Sequence, residues 1–229
     1  LCIEKPHEIE QEKLKEIADL AVELNVRLHI HASMTRKDVF ACKRRFNVFP
    51  VELLDKCGLL IEKATLAHLN WATSWEISLI GRKGVFVSYC PTSTMLSAAG
   101  SSLPLKALLN ANISVGVGDD GVADGDMFRE TRNALLQQRN DYWDFSIDEQ
   151  VVFDMATING YKLAGFKGGA IKPGYPADLV FLNLDSPFLK GVNPEKPVET
   201  LVKQVTGREV ELVMVNGRVV FARNEELLS

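Results

Sequence analysis

Residues 28–35 read LHIHASMT, and the two histidines of this stretch, His29 and His31, lie two positions apart. The residues around them are apolar, and the pattern predicts a short buried strand at 26–31. Because successive side chains of a strand point to opposite faces, both imidazoles are expected on the same face. Strands present metal ligands in this way, so the stretch raises the question of where further ligands lie.

Helical and extended segments alternate around this stretch. Helical periodicity is found at 8–24, 37–46, 50–57, 74–82 and 103–110. Short apolar strands are predicted at 64–68, 85–88 and 113–117. Strands that alternate with helices of this length are typical of a parallel sheet with helices packed outside it.

The pattern changes after Gly118. Long helices are predicted at 126–139 and 147–163. Extended segments then follow at 178–182, 212–215 and 219–222, and an Asn-Gly hairpin turn joins the last two. The sequence therefore divides into an α/β segment, 1–167, and a second, β-rich segment, 168–229.

Composition narrows the class of partner. The 229 residues are 46% hydrophobic and 24% charged, which is typical of a globular protein. The formal net charge of −4 comes from interspersed charges, so the sequence favours neither nucleic acid nor a membrane surface as a partner. The longest apolar runs are far shorter than the roughly 20 residues that a membrane-spanning helix needs. We expect a small-molecule substrate and, because the four cysteines are widely spaced, a cytoplasmic location.

Histidines and carboxylates cluster at the predicted carboxyl ends of the strands. His29 and His31 end one strand, His68 ends the next, and Asp119 and Asp120 follow the last. In parallel α/β folds the chemistry lies at these ends. Imidazole nitrogen and carboxylate oxygen are ligands of catalytic zinc and iron. These residues therefore predict a site for one divalent metal, zinc or iron.

Longer motifs carry a resemblance to a known family. In chain order they read IHASMTRKDVF, TLAHLNW, YCPTS, VGVGDDG, MATINGYKLAGFKGGAIKPGYPADLVFLNLDSP and VELVMVNGRVVF. This set resembles the amidohydrolase superfamily, in its branch of cytosine, guanine and adenosine-derivative deaminases and chlorohydrolases. The resemblance implies a (β/α)8 TIM-type barrel with one divalent metal, flanked by a small β-sandwich. It covers the C-terminal half only, about strands 5 to 8 and part of the composite sandwich.

The resemblance also implies a role for each polar residue at the strand ends. It implies that His31 is the metal ligand of the fifth strand and that His68, on the sixth, contacts the metal-bound water or the substrate. Asp120, on the eighth, is implied as both metal ligand and proton acceptor. Asp119 is then a turn or helix-capping carboxylate. The implied function is a hydrolase in which a metal-activated water attacks a C–N (amidine or amide) or related bond of a small cyclic substrate.

The chain departs from the family pattern at several positions. The family opens with an HxH pair on its first strand, and this chain is expected to begin near the end of the fourth. His29 and His31 could be taken as that pair, but the later motifs follow at the intervals of strands five, six and eight. His29 is therefore interpreted as a polar neighbour inside the barrel. Met34 stands where deaminases of this branch usually have a proton-shuttling glutamate, and Tyr89 and Thr94 replace the histidine and asparagine of an HxPxSN segment.

Two functional hypotheses follow. The first is a metal-dependent hydrolase whose substrate pocket includes His29, Met34, Trp71 and Tyr89. The second is a catalytically inactive half-barrel that acts as a binding or assembly module. A half-barrel exposes sheet edges and an apolar inner face, so we expect a homo-oligomer or a second chain that supplies the N-terminal half-barrel. With only two predicted protein ligands, metal binding by this chain alone is expected to be weak.

Overall fold

The computed structural model describes residues 1–121 and 124–224, which form a parallel and an antiparallel sheet. The parallel strands are β1 (Cys2–Ile3), β2 (Leu28–Ala32), β3 (Ala64–His68), β4 (Phe86–Tyr89) and β5 (Val115–Val117). The antiparallel strands are β6 (Leu179–Leu182), β7 (Val210–Val215) and β8 (Arg218–Ala222). The helices in these ranges are α1 (Gln11–Glu23), α2 (Arg36–Phe46), α3 (Pro50–Lys56), α4 (Ser74–Lys83), α5 (Pro91–Leu96), α6 (Leu105–Asn110), α7 (Met127–Tyr142), α8 (Glu149–Ala156), α9 (Ile158–Ala164) and α10 (Pro197–Lys203). Within the described ranges, no helix has both the length and the apolar character that crossing a membrane requires.

The parallel strands lie in the sheet in the order β1-β2-β3-β4-β5. At least one helix joins each strand to the next, and the order never reverses. A sequential parallel order is that of a (β/α)8 barrel, whereas a doubly wound sheet reverses direction at a switch point. The chain therefore forms part of a (β/α)8 TIM-type barrel, which confirms the predicted fold class. The short strand β1 pairs with β2.

Helix α1 shows how the outer layer packs on the sheet. Its buried residues are Leu14, Ala18 and Ala21, which lie on one face of the helix. They share a continuous core with Leu28 and Ile30 of β2. Burying a leucine or isoleucine side chain contributes about 1.5–3 kcal/mol to the stability of the folded state. Because Leu28 and Ile30 face the helices, alternation turns His29 and His31 to the other face of the sheet.

The observed helices differ from the predicted ones at three places along the chain. The helix predicted at 147–163 is divided into α8 and α9 at Thr157, whose φ of −120° and ψ of −94° lie outside the helical region. Helices α5 and α10 were not predicted, because their threonine and valine residues are β-branched and have low helix propensity. Both begin with proline, at Pro91 and Pro197, a residue that is common at the first helical position.

The β-rich segment returns to the barrel at α10. This helix packs against α7 and α8, and its Val202 is buried. Arg132 of α7 donates from Nε to the Val202 carbonyl at 3.1 Å and from Nη2 to the Val205 carbonyl at 2.7 Å. The boundary between residues 167 and 168 stays a prediction, and the end of the second segment, 225–229, lies outside the described residues.

Candidate metal centre

Three polar side chains converge at the carboxyl ends of the parallel strands. His31 belongs to β2, His68 is the last residue of β3, and Asp120 follows β5. One ligand atom of each, two imidazole nitrogens and a carboxylate oxygen, lie within 4.8 Å of one another. The structure thus brings together the three residues that the sequence singles out for metal and water.

The orientation of His68 depends on a departure from strand geometry. In the register of β2 and β3, His31 pairs with Ala67 and Ala32 pairs with His68, so regular alternation would turn the His68 ring away from His31. His68 instead has a φ of 75°, and its ring centroid lies 4.6 Å from that of His31. The backbone of Asp120 is also in the left-handed region, with a φ of 62°. Such a conformation costs about 1–3 kcal/mol in a non-glycine residue and is concentrated at functional sites.

The His68 side chain is buried, yet neither of its ring nitrogens has a hydrogen-bond partner. Burial, and after it the neighbouring His31, lowers the pKa of His68 to about 4, although Asp120 acts in the opposite direction. The ring is therefore neutral at pH 7 and offers a lone pair to a cation. An unpaired buried polar atom costs about 1–3 kcal/mol, a cost that a cation bound at this nitrogen would remove.

The donor set fits a divalent metal. Two imidazole nitrogens and a carboxylate oxygen suit zinc and iron, and catalytic zinc commonly has three protein ligands. His68 thus stands as a third donor beside His31 and Asp120. His29 lies outside this group of donors and is exposed, with its ring centroid 6.1 Å from that of His31. Partial desolvation, and then His31, lowers the pKa of His29.

A serine from a neighbouring element holds the Asp120 carboxylate. Ser93 of α5 donates to Asp120 Oδ2 at 2.5 Å. The adjacent Asp119 has a different role, because its Oδ2 accepts from the Gly121 backbone N–H at 3.1 Å, as expected of a turn carboxylate. Gly118 precedes this pair, and a Cβ there would lie 2.8 Å from a serine hydroxyl of β4. Glycine thus allows the chain to pass close to β4 before Asp120.

A cleft of about 630 Å³ opens beside these residues, a volume in the range of small-molecule sites. Apart from His31 and Asp120, its walls are formed by Cys2, Glu4, Met34, Ser93, Leu96 and Ser97. Met34 thus lies in the wall of this cleft, and its predicted contact with a substrate stays a prediction. The sequence did not point to Glu4 or Ser93, although Ser93 belongs to the CPTS segment that carries the family resemblance.

The three other residues predicted for the substrate pocket, His29, Trp71 and Tyr89, do not line this cleft. Tyr89 is fully buried, and its hydroxyl donates to Gln137 Oε1 at 2.7 Å and accepts from Gln138 Nε2 at 3.2 Å. The structure therefore places Tyr89 outside the predicted pocket, because its ring faces the helical layer at α7. Trp71 is half-buried, and its Nε1 donates to the Ala99 carbonyl at 2.7 Å.

The sequence is similar to those of known proteins. Residues 1–220 match the model of the amidohydrolase family. A 5'-deoxyadenosine deaminase from Methanothermobacter thermautotrophicus is 36% identical over 224 residues, which are 96% of this chain and 52% of that protein. A 5-methylthioadenosine/S-adenosylhomocysteine deaminase from Pyrococcus furiosus is 35% identical over 226 residues, which are 97% of this chain and 53% of that protein.

Solved structures extend the comparison. An adenosine deaminase from Xanthomonas campestris with bound zinc matches with a TM-score of 0.90 at 25% identity, over 97% of this chain and 51% of that chain. Guanine deaminase from E. coli shares the fold, with a TM-score of 0.82 at 19% identity, over 94% of this chain and 52% of that chain. The chain spans about half the length of the curated relatives it matches. It belongs to the amidohydrolase family, in the branch of deaminases and chlorohydrolases.

Proposed function

We propose that this chain contributes half of the active site of a metal-dependent hydrolase that cleaves a C–N bond, or a related bond, of a small cyclic substrate. The observation that carries the proposal is the convergence of His31, His68 and Asp120 at the strand ends, with both ring nitrogens of His68 unpartnered. Relatives of similar sequence are deaminases of 5'-deoxyadenosine and of 5-methylthioadenosine or S-adenosylhomocysteine. We therefore propose adenosine-type nucleosides as the first substrate class to test.

His31, His68 and Asp120 would hold the metal, and zinc or iron suits these donors. When bound, a divalent cation supplies Lewis-acid activation of water near neutral pH. The Xanthomonas campestris relative contains zinc, which makes zinc the first metal to test here.

The surrounding side chains contribute different properties to the proposed reaction. Asp120, held at Oδ2 by Ser93, acts as a metal ligand and accepts the proton that the attacking water loses. His68 is neutral above pH 4, because burial lowers its pKa to about 4. As a neutral ring it can give a nitrogen lone pair to the metal, and it does not deliver a proton as an imidazolium.

Met34 favours a second candidate function. It lies in the wall of the cleft beside His31, and its thioether cannot transfer a proton. General acid–base catalysis commonly contributes roughly 100- to 10,000-fold to a rate. If no other group in the complete protein replaces the usual glutamate, the chain acts as an inactive half-barrel that binds a ligand or assembles with a partner chain.

The test combines metal content with ammonia release. The protein is stripped with a chelator and reloaded with zinc, and bound zinc is measured by atomic emission. His31→Ala and Asp120→Asn are expected to lose most of the bound zinc, because each removes a donor. The matched controls His29→Ala and Asp119→Asn alter neighbouring residues of the same type outside the donor group and are expected to retain it.

Ammonia release from 5'-deoxyadenosine, 5-methylthioadenosine and adenosine then separates the two candidate functions. Zinc-dependent release supports the hydrolase. Bound zinc without release from any of these nucleosides supports the inactive module. Equal zinc content in the unaltered protein and in Asp120→Asn would overturn the proposed metal site.

A further inference from the structure

A series of side-chain hydrogen bonds joins the loops around the metal centre. Asn70, which follows β3, donates from Nδ2 to the Met34 carbonyl at 3.0 Å and to the Thr94 hydroxyl at 3.2 Å. Thr94 donates in turn to the Cys90 carbonyl at 2.9 Å. Asn70 and Thr94 are only 3% and 2% exposed, so water does not compete for these bonds. The loops after β2, β3 and β4 are therefore tied together.

Ser93, the neighbour of Thr94, extends this series to the loop after β5. Ser93 is 3% exposed and donates its hydroxyl proton to Asp120 Oδ2 at 2.5 Å. A hydroxyl donating to a charged carboxylate over so short a distance makes one of the stronger hydrogen bonds in proteins. The loops after all four strands from β2 to β5 are thus connected through Ser93 and its neighbour.

Helix α7 fixes Ser93 from the other side. The backbone N–H of Thr92 donates to Glu130 Oε2 at 3.3 Å, and the Thr92 hydroxyl accepts from Asn133 Nδ2 at 2.8 Å. Glu130 and Asn133 lie three residues apart, on the same face of α7. Ser93 is therefore held between two anchored threonines.

An anchored serine matters because Asp120 is exposed. An exposed aspartate side chain samples several rotamers, and a metal that binds it must pay the entropy of selecting one of them. A hydrogen bond at Oδ2 makes that selection before the metal arrives. Outer partners of metal ligands commonly change metal affinity by roughly 10- to 100-fold when they are removed.

We propose that Ser93 is the positioning residue of the metal centre and that the Asn70–Thr94 pair positions Ser93. The proposal rests on the metal site proposed above. Thr94 stands where the family motif has asparagine, and in this chain Asn70 supplies an amide to Thr94 from the adjacent strand end. The pair thus restores a side-chain amide at the loop that carries Ser93.

The test is the zinc dissociation constant of the protein as it occurs naturally, measured by competition with a chromogenic chelator. Ser93→Ala is expected to raise this constant by roughly 10- to 100-fold, and Ser93→Thr, which keeps the hydroxyl, by less. Ser78→Ala is the matched control, because the Ser78 hydroxyl donates to the Ser74 carbonyl on the exposed face of α4. This control is expected to leave the constant unchanged.

A second variant tests how Thr94 acts. Thr94→Val removes the hydroxyl at nearly constant size and is expected to raise the zinc dissociation constant by less than Ser93→Ala does. The double variant, Ser93→Ala with Thr94→Val, is expected to have the same zinc dissociation constant as Ser93→Ala alone, because Thr94 acts through Ser93. Thermal unfolding of each metal-free variant shows whether it is folded.

The possible outcomes separate this inference from the proposed function. An unchanged zinc dissociation constant in Ser93→Ala, in a protein whose unaltered form binds zinc, overturns the inference alone. Absence of zinc binding by the unaltered protein overturns both proposals. Additive effects in the double variant overturn the role of the Asn70–Thr94 pair. If Ser93→Ala does not fold, an unchanged constant in Thr94→Val decides against the inference.

Discussion

At the scale of single residues, His68 shows how surroundings set the chemistry of a side chain. Burial, and then His31, lowers its pKa from 6.5 to about 4 in the folded protein. Between these two pH values the unfolded chain binds a proton that the folded chain does not, so metal-free protein loses stability as the pH falls through this window. The difference in pKa corresponds to a loss on the order of 3 kcal/mol at pH 4.

This loss is measurable by urea unfolding at pH 7 and at pH 4 in the presence of a chelator. His68→Gln, which does not titrate, is the comparison, because other groups of the protein titrate in the same window. We expect the free energy of unfolding to fall more steeply in the unaltered protein than in His68→Gln. Parallel losses in the two proteins would show that the pKa of His68 in the folded state stays near the ordinary value for a histidine.

At the scale of elements, Glu76 connects the first turns of two helices. Its Oε2 accepts from the Thr73 backbone N–H at 3.0 Å and from the Thr73 hydroxyl at 2.9 Å, which completes a capping box at α4. Its Oε1 accepts from the Val51 backbone N–H of α3 at 3.0 Å. Glu76 is fully buried, and burial raises its pKa although these hydrogen bonds act in the opposite direction.

Glu76→Ala is expected to lower the free energy of unfolding by about 2–4 kcal/mol, because it leaves two backbone N–H groups without their acceptor. Glu52→Ala is the matched control at the third position of α3. The Glu52 side chain is 29% exposed and accepts from the Phe49 backbone N–H at 3.3 Å, so a loss of about 1 kcal/mol is expected there. Urea unfolding measures both variants, and equal losses would contradict the special role of the contact between α3 and α4.

At the scale of the whole molecule, the parallel sheet is open. Within the described ranges, β1 and β5 each pair with a strand on one side only. The small sheet also exposes apolar side chains, including Val180 at 51% and Val220 at 59%. Unpaired strand edges and exposed apolar surface favour association with another chain.

Residues 1–229 produced alone are therefore expected to self-associate, and sedimentation velocity over a range of concentrations measures this. Co-expression with the N-terminal half of a related barrel, which carries an HxH pair, should give a mixed complex with more bound zinc. The same complex with Asp120→Asn should not show this gain. A monomer at every concentration, with a cooperative thermal transition, would contradict the expected association.

The sequence alone indicated most of the barrel, because apolar periodicity reports locally which face of a helix or strand is buried. It placed β3 at its observed bounds and put His31, His68 and Asp120 at the ends of parallel strands. The break at Thr157 was missed because apolar residues continue on both sides of it. Helices α5 and α10 were missed because their β-branched residues have low helix propensity.

Only the tertiary structure decided how the site is assembled. The inward turn of His68 depends on a left-handed backbone, which residue type does not reveal for a histidine. The hydrogen bond from Ser93 to Asp120 joins residues 27 positions apart on different elements. The burial of Tyr89 depends on the packing of α7. Sequence periodicity thus determined which residues reach the strand ends. Packing between elements decided which of their atoms meet, because such contacts depend on long-range geometry that no local pattern records.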